Sequence, residues 1–184
     1  MSEDHVTDAP SVLTLRTAQL RDKFDRSFAE PAHLGMATME YLLSVRIRDD
    51  LFAIRLSEIA GLHADKKITR VAGGDPALLG IAGFRGSIQP VYGLAYVLGR
   101  SVDNLPRWFV IAAGASVALA FDAFEGYLRV ASERIRPRDA NAKDQPYARS
   151  FVPVHELIRP ILHLPAVVDA IKAHRTTAVR ARDS

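Results

Sequence analysis

The stretch Pro76-Ala-Leu-Leu-Gly-Ile-Ala-Gly-Phe-Arg-Gly-Ser-Ile-Gln-Pro-Val-Tyr-Gly-Leu94 decides the fold of this chain. It contains two apolar runs, 78–84 and 88–94, and short apolar runs bounded by glycine and proline predict buried strands. Gly86 lies between the runs and can adopt the positive φ that a tight turn between paired strands often needs. The stretch therefore predicts an apolar β-hairpin with one cation, Arg85, at its tip. Spacing alone favours a solvated turn charge there.

The residues of this hairpin carry more information than their spacing. Residues 78–91 resemble the most recognisable segment of the CheW-like family of bacterial chemotaxis adaptors, and four positions keep the family residue: Gly80, Arg85, Gly86 and Pro90. Upstream, residues 52–59 are similar to the return strand of the family's first hairpin. The resemblance extends over roughly residues 41–171 and is specific mainly in the 78–91 segment.

The fold that the resemblance implies is mainly β, with two small SH3-like, five-stranded β-barrels around a shared core and a few short helices. An internal repeat supports two related halves, because residues 89–97 match residues 159–167 at a constant offset of 70 positions. Each copy has the pattern of a strand followed by a short helix. Alternation over 41–48 and again from Phe52 predicts a further hairpin with one wet face.

The predicted divisions of the chain follow from these patterns. They are an N-terminal extension over 1–35, a CheW-like domain over 36–174 and a basic tail over 175–184. The CheW-like domain is predicted to contain two barrels, over about 41–100 and 107–165, and a C-terminal helix. Within the extension, Leu20, Phe24 and Phe28 recur near helical spacing and predict an amphipathic helix over 12–29. Packing of that helix on its own domain is favoured over docking to a partner.

Composition limits the classes of protein to consider. The 184 residues are 48% hydrophobic and include no cysteine, which allows a sizeable core and suits a reducing cytosol without a disulfide framework. No apolar run reaches the roughly 18 residues of a membrane span, and the acidic, polar start is unlike a signal peptide. The net charge of the chain is +3, and residues 172–184 alone carry a net charge of +3, from four basic residues and one acidic residue. Nucleic-acid binding by an SH3-like barrel, using this tail, is the alternative of a different class.

Motifs for catalysis or metal binding are missing from the sequence. The six histidines form no helical metal pair, and no Gly-x-Ser-x-Gly, phosphate-binding loop or dinucleotide fingerprint occurs. The sequence therefore predicts no enzyme, no catalytic residue, no metal site and no cofactor. A small hydrolase is the least supported alternative.

The function that the resemblance implies is a non-catalytic adaptor of chemotaxis-type signal transduction. It would couple a CheA-type histidine kinase, through the kinase's own CheW-like regulatory domain, to the cytoplasmic tip of methyl-accepting chemoreceptors. One barrel would offer a strand edge and apolar surface to the kinase, and the groove between the barrels would receive the receptor tip. A cytoplasmic location with recruitment to receptor arrays is expected, with no membrane insertion of its own.

The partner interface that the resemblance implies comprises five residues: Glu58, Gly80, Phe84, Arg85 and Gly86. Arg85 matches the family arginine near the receptor contact, and a guanidinium can hold acidic or carbonyl groups in a forked geometry. For Glu58 and Gly80, a strand edge and a turn explain the residues equally well.

Two departures from the family pattern concern helix starts. Gly93 stands where the family usually has Asp, and His163 where it often has Asp or Asn. Aspartate would cap the short helix that follows each position, whereas glycine caps tolerably and histidine poorly. These departures leave open a divergent paralogue that serves a pilus, gliding or other chemosensory-like pathway.

Overall fold

The computed structural model describes residues 38–72, 75–101, 106–138 and 147–180. The predicted N-terminal helix, with Leu20, Phe24 and Phe28, lies outside these residues. In chain order the described elements are β1 (Met39–Ile47), β2 (Asp50–Arg55), a 3-10 turn (Leu56–Glu58), β3 (Ile59–Ala64), β4 (Leu78–Phe84), β5 (Ser87–Gly93), α1 (Leu94–Val97), β6 (Trp108–Ala112), β7 (Ala118–Phe121), β8 (Ala123–Ala131), a second 3-10 turn (Ser132–Arg134), β9 (Arg136–Pro137), β10 (Ala148–Val154), β11 (Leu157–Leu162) and α2 (Leu164–Arg180).

The strands form two sheets, and the mainly β fold is confirmed. Sheet 1 has six strands in the order β8-β1-β2-β11-β10-β9, and sheet 2 has five in the order β3-β6-β7-β5-β4. The extra strand in sheet 1 is the two-residue β9. Its counterpart in sheet 2 is a single bridge between Thr69 and Ile81, so the two sheets are built alike.

The internal repeat has a direct structural meaning. Val91 on β5 pairs in parallel with Ala118 on β7, and the equivalent Ile161 on β11 pairs in parallel with Ala53 on β2. All four residues are buried. The 70-residue offset therefore relates two strand-and-helix units, each seated against a strand of its own sheet.

The sheets do not follow the predicted division of the chain near residues 101–106. β6 and β7 follow this boundary in the chain yet complete sheet 2, whereas β1 and β2 precede it and pair with the late strands of sheet 1. Each sheet thus combines strands from both halves. Short-range patterns predict strands, but pairing across so many residues depends on tertiary packing.

Three apolar cores account for this arrangement. One lies within sheet 1 and includes Leu42 and Val152, and a second lies within sheet 2 and includes Phe84 and Phe109. The third is shared, because it joins residues of both sheets with the inner face of α2. The expected shared core between two SH3-like units is therefore present.

The edges of sheet 2 meet through side chains. The rings of His63 on edge strand β3 and Phe84 on edge strand β4 have centroids 5.2 Å apart, although no backbone pairing among the described residues joins these strands. Sheet 2 thus curves towards a barrel, but its edge strands β3 and β4 meet through a contact between aromatic rings and not through backbone hydrogen bonds. The implied closed barrels are replaced by open, SH3-like sheets.

The first hairpin has no continuous wet face, contrary to the sequence prediction. Leu42, Leu43, Ser44 and Val45 are buried in succession along β1, since one face lines the core of sheet 1 and the other the shared core. The buried hydroxyl of Ser44 accepts a hydrogen bond from Arg159. Burial of both faces is what a strand between two cores requires.

The C-terminal helix is longer than predicted. α2 spans Leu164–Arg180, whereas the pattern predicted an end at residue 174. Leu164, Val167, Val168 and Ile171 recur at helical spacing and are all buried, so the first two turns anchor the helix.

Candidate functional site

The β4–β5 turn is a two-residue hairpin turn with both central residues at positive φ. Arg85 has φ 46° and Gly86 has φ 82°, and Phe84 pairs with Ser87 across the turn. The hydroxyl of Ser87 donates a hydrogen bond to the carbonyl of Phe84 over 3.0 Å. Turns of this handedness match the twist of the flanking strands. The predicted hairpin is therefore confirmed, with Arg85 and Gly86 exposed at its tip.

Phe84 supports this tip from inside sheet 2. Its side chain is 2% exposed and contacts the rings of His63 and Phe109, at centroid distances of 5.2 and 5.9 Å. The ammonium of Lys66 lies over the same ring, 6.0 Å from its centroid, within the range of a cation–π contact. The ring of Phe84 thus packs beneath Lys66 and His63, and little of its own surface is exposed.

Three basic side chains lie close together near the ring of Phe84 and form the cationic cluster: His63, Lys66 and Arg85. A Cβ atom added at Gly61 would lie 3.1 Å from Nε2 of His63 and 3.8 Å from Nη2 of Arg85, so both nitrogens approach the same bare stretch of β3. The pKa of His63 is below its ordinary value, because burial disfavours the charged ring and because Lys66 and Arg85 repel its proton.

The other face of the hairpin carries an exposed apolar residue. Ile88 is 75% exposed, and its cross-strand neighbour Gly83 is an exposed glycine that offers no side chain to cover it. Side chains alternate along a strand, so Ile88 shares its face with Tyr92, opposite Phe84 and Val91. The hairpin therefore presents the cationic cluster on one side and the exposed side chain of Ile88 on the other.

Gly80 is buried and meets a backbone segment closely. Its φ is +142°, and a Cβ atom there would lie 2.2 Å from the carbonyl oxygen of Thr69. Ile81 and Thr69 exchange two backbone hydrogen bonds of 2.8 Å, which hold the segment in place. Gly80 thus permits a close backbone contact and is not a surface group.

Glu58 is engaged within the protein. Its carboxylate accepts a hydrogen bond from the backbone N–H of Leu164 over 2.7 Å, and its other oxygen lies 3.0 Å from Nδ1 of His163. Nη1 of Arg55 lies 3.9 Å from the same oxygen as His163. With its side chain 12% exposed, Glu58 caps the start of α2 from a distant part of the chain.

This contact explains the departure at His163. Histidine is a poor cap by itself, but here its ring and the first N–H of α2 share one carboxylate. Gly93 precedes α1 with no side-chain cap, which a helix of four residues tolerates. The capping function expected at residue 163 is therefore supplied by Glu58.

The five residues assigned by resemblance fall into two groups. Phe84, Arg85 and Gly86 meet at the hairpin tip, whereas Gly80 is buried within β4 and Glu58 is turned towards α2. Direct contact with a partner is therefore expected of Arg85 and Gly86. The other three hold the surrounding structure, and the part of all five residues in an interface remains a prediction.

Sequence reasoning missed His63, Lys66 and Ile88. The internal repeat could have indicated Ile88, because Ile88 and Ile158 precede the two copies at the same offset of 70 residues. Ile158 is likewise exposed, at 72%. His63 and Lys66 had none, since their position depends on two sheet edges meeting.

The described part of the chain offers neither a metal site nor a membrane-spanning helix. Within it, no group of three or more His, Cys, Asp or Glu side chains could hold a metal ion. No described helix has the length and apolar character needed to cross a membrane.

Comparison with known proteins identifies a family model and a fold. The model of the CheW-like domain matches residues 41–172. The scaffolding protein TtCheW from Thermoanaerobacter tengcongensis has a similar crystal structure, with a TM-score of 0.62 and 17% sequence identity over 68% of this chain and 90% of that protein. At this identity the likeness concerns the fold alone. No curated protein sequence matches the chain.

Proposed function

Because the chain belongs to the CheW-like domain family, matched over residues 41–172, we propose that it is a non-catalytic adaptor of chemotaxis-type signal transduction. It couples a CheA-type histidine kinase to methyl-accepting chemoreceptors. The matched residues span both sheets and the first turns of α2, so the proposal concerns the whole described fold.

The observation that carries the proposal is the two-sided β4–β5 hairpin. Arg85 leans towards His63 and Gly61 on one side, and Ile88 lies exposed on the opposite face. Two exposed features that face different ways suit a protein that holds two partners at once. The hairpin is braced by buried Phe84 and by the close contact at Gly80, so its shape is preorganised.

The mechanism is geometric. The acidic or carbonyl groups of the receptor tip are held by the forked guanidinium of Arg85, while the regulatory domain of the kinase packs on the apolar side at Ile88. The adaptor then fixes the distance and orientation between the partners. No bond is made or broken by the adaptor itself.

The test is binding of the purified kinase regulatory domain to the full-length protein and to Ile88→Ser. Burying an isoleucine contributes about 1.5–3 kcal/mol, so the serine variant should bind more weakly by a similar amount. Ile158→Ser is the matched control, because Ile158 occupies the equivalent position of the β10–β11 hairpin and is equally exposed. It should bind like the unchanged protein.

The possible results separate the two parts of the proposal. Equal binding by both serine variants and the unchanged protein would remove Ile88 from the kinase interface. Absence of any binding by the unchanged protein would contradict the adaptor function itself.

A further inference from the structure

We propose that the cationic cluster of His63, Lys66 and Arg85 is a binding site for one carboxylate side chain on the receptor tip, an inference that rests on the function proposed above. It adds His63 and Lys66 to Arg85 as residues that select an acidic group. Three features support it: the bare backbone at Gly61, the uncancelled positive charge and an unpaired nitrogen of His63.

The shape of the site comes from Gly61. Because this residue has no side chain, Nε2 of His63 and Nη2 of Arg85 approach the same point above β3, within 3.1 and 3.8 Å of where a Cβ would lie. Lys66 stands over the ring of Phe84, which the ring of His63 also contacts. The three basic side chains are therefore close together, beside the bare backbone of Gly61 and the ring of Phe84.

The charge of the cationic cluster is not cancelled by the neighbouring acids Asp65 and Glu58. Asp65, next to Lys66 in the chain, is held by Arg107 through two hydrogen bonds of 2.8 and 3.1 Å. The bonds from Arg107 lower the pKa of Asp65. Glu58, before β3, is committed to the start of α2.

The unpaired nitrogen belongs to His63. Nε2 of its ring is buried and has no hydrogen-bond partner in the described part of the protein. A buried polar atom without a partner costs free energy, which an incoming acceptor would recover. A carboxylate that accepts a hydrogen bond from Nε2 and is attracted by Lys66 and Arg85 would satisfy this atom and offset part of the positive charge of the cluster.

This arrangement couples binding to protonation. In the unbound protein, burial and the two neighbouring cations lower the pKa of His63 and disfavour the protonated ring. A bound carboxylate favours the protonated ring and raises the pKa of His63 in the complex. The complex therefore takes up protons, and affinity increases as the pH falls.

The experiment is titration of the full-length protein with the cytoplasmic hairpin fragment of a methyl-accepting chemoreceptor at about pH 6 and about pH 8. Each unit by which the pKa rises on binding corresponds to about tenfold in linked affinity. We expect binding by the unchanged protein to strengthen about five- to tenfold at the lower pH. His63→Phe keeps a ring against Phe84 and should lose this dependence.

Lysine variants test the charge separately. Lys66→Met should weaken binding about tenfold, or ~1.4 kcal/mol, at both pH values. Lys67→Met removes the same charge from the adjacent exposed position and should change affinity by less than about twofold. Circular dichroism melting of each variant verifies that it is folded.

Each outcome decides the inference. Receptor binding that is independent of pH and unaffected by His63→Phe and Lys66→Met would overturn the carboxylate site while leaving the adaptor function standing. Failure of the unchanged protein to bind the fragment at either pH would overturn both. An equal loss in Lys66→Met and Lys67→Met would reduce the site to general surface charge and also overturn it.

Discussion

Gly80→Ala is expected to destabilise the protein by about 3–5 kcal/mol, the range reached when backbone strain and a steric clash act together. At φ +142° a residue with a side chain is strained, and the new Cβ would lie 2.2 Å from the carbonyl oxygen of Thr69. That oxygen accepts a hydrogen bond from Ile81, so the Thr69 segment cannot move away without losing the bridge to β4.

The measurement is urea unfolding monitored by circular dichroism. Gly83→Ala is the matched control, because Gly83 lies on the same strand, is exposed and would place its Cβ in open space. Its free energy of unfolding should change by less than about 1 kcal/mol. Equal stability of the two alanine variants would mean that the close contact at Thr69 does not constrain the fold.

Arg85→Glu is expected to weaken receptor binding by about 2–5 kcal/mol, the usual cost of losing one partner of a buried, paired charge at an interface. The change removes a forked cation and introduces a charge that repels acidic groups. Arg85→Lys should be intermediate, because the charge survives and the fork does not. Since Arg85 is exposed at the turn, neither variant should alter stability by more than about 0.5 kcal/mol.

Titration with the receptor fragment, beside thermal melting, tests this prediction. Arg149→Glu is the control, since Arg149 is an exposed arginine on β10 of the other sheet. It makes the same charge change away from the hairpin and should leave affinity nearly unchanged. A folded Arg85→Glu protein with normal affinity would remove Arg85 from the interface, and a melted one would make Arg85 structural.

Local patterns predicted much of the fold. The β4–β5 hairpin was predictable because its apolar runs and Gly86 are adjacent in the chain, and the repeat was visible because Pro90 and Pro160 mark equivalent positions. The exchange of strands between the two sheets was not predictable from local patterns, because it depends on the packing of three cores. The same reason explains why β1 is buried on both faces.

The candidate site divides in the same way. Arg85 was predicted from its motif, whereas His63 and Lys66 reach it only because the edges of sheet 2 meet. The cap at α2 likewise joins Glu58 to residues more than a hundred positions away, as the contact with Leu164 demonstrates. No sequence pattern at His163 could have indicated that partner.

We propose that this protein joins a receptor to a kinase, and co-sedimentation is the most direct test. Receptor-containing membranes, the CheA-type kinase and the full-length protein are mixed, and the kinase in the pellet is measured with and without the protein. We expect the kinase to sediment with the membranes only when the protein is present. Arg85→Glu should reduce the amount of kinase in the pellet, and Arg149→Glu should not. Kinase recovery that is the same with and without the protein would mean that the protein does not join the two partners.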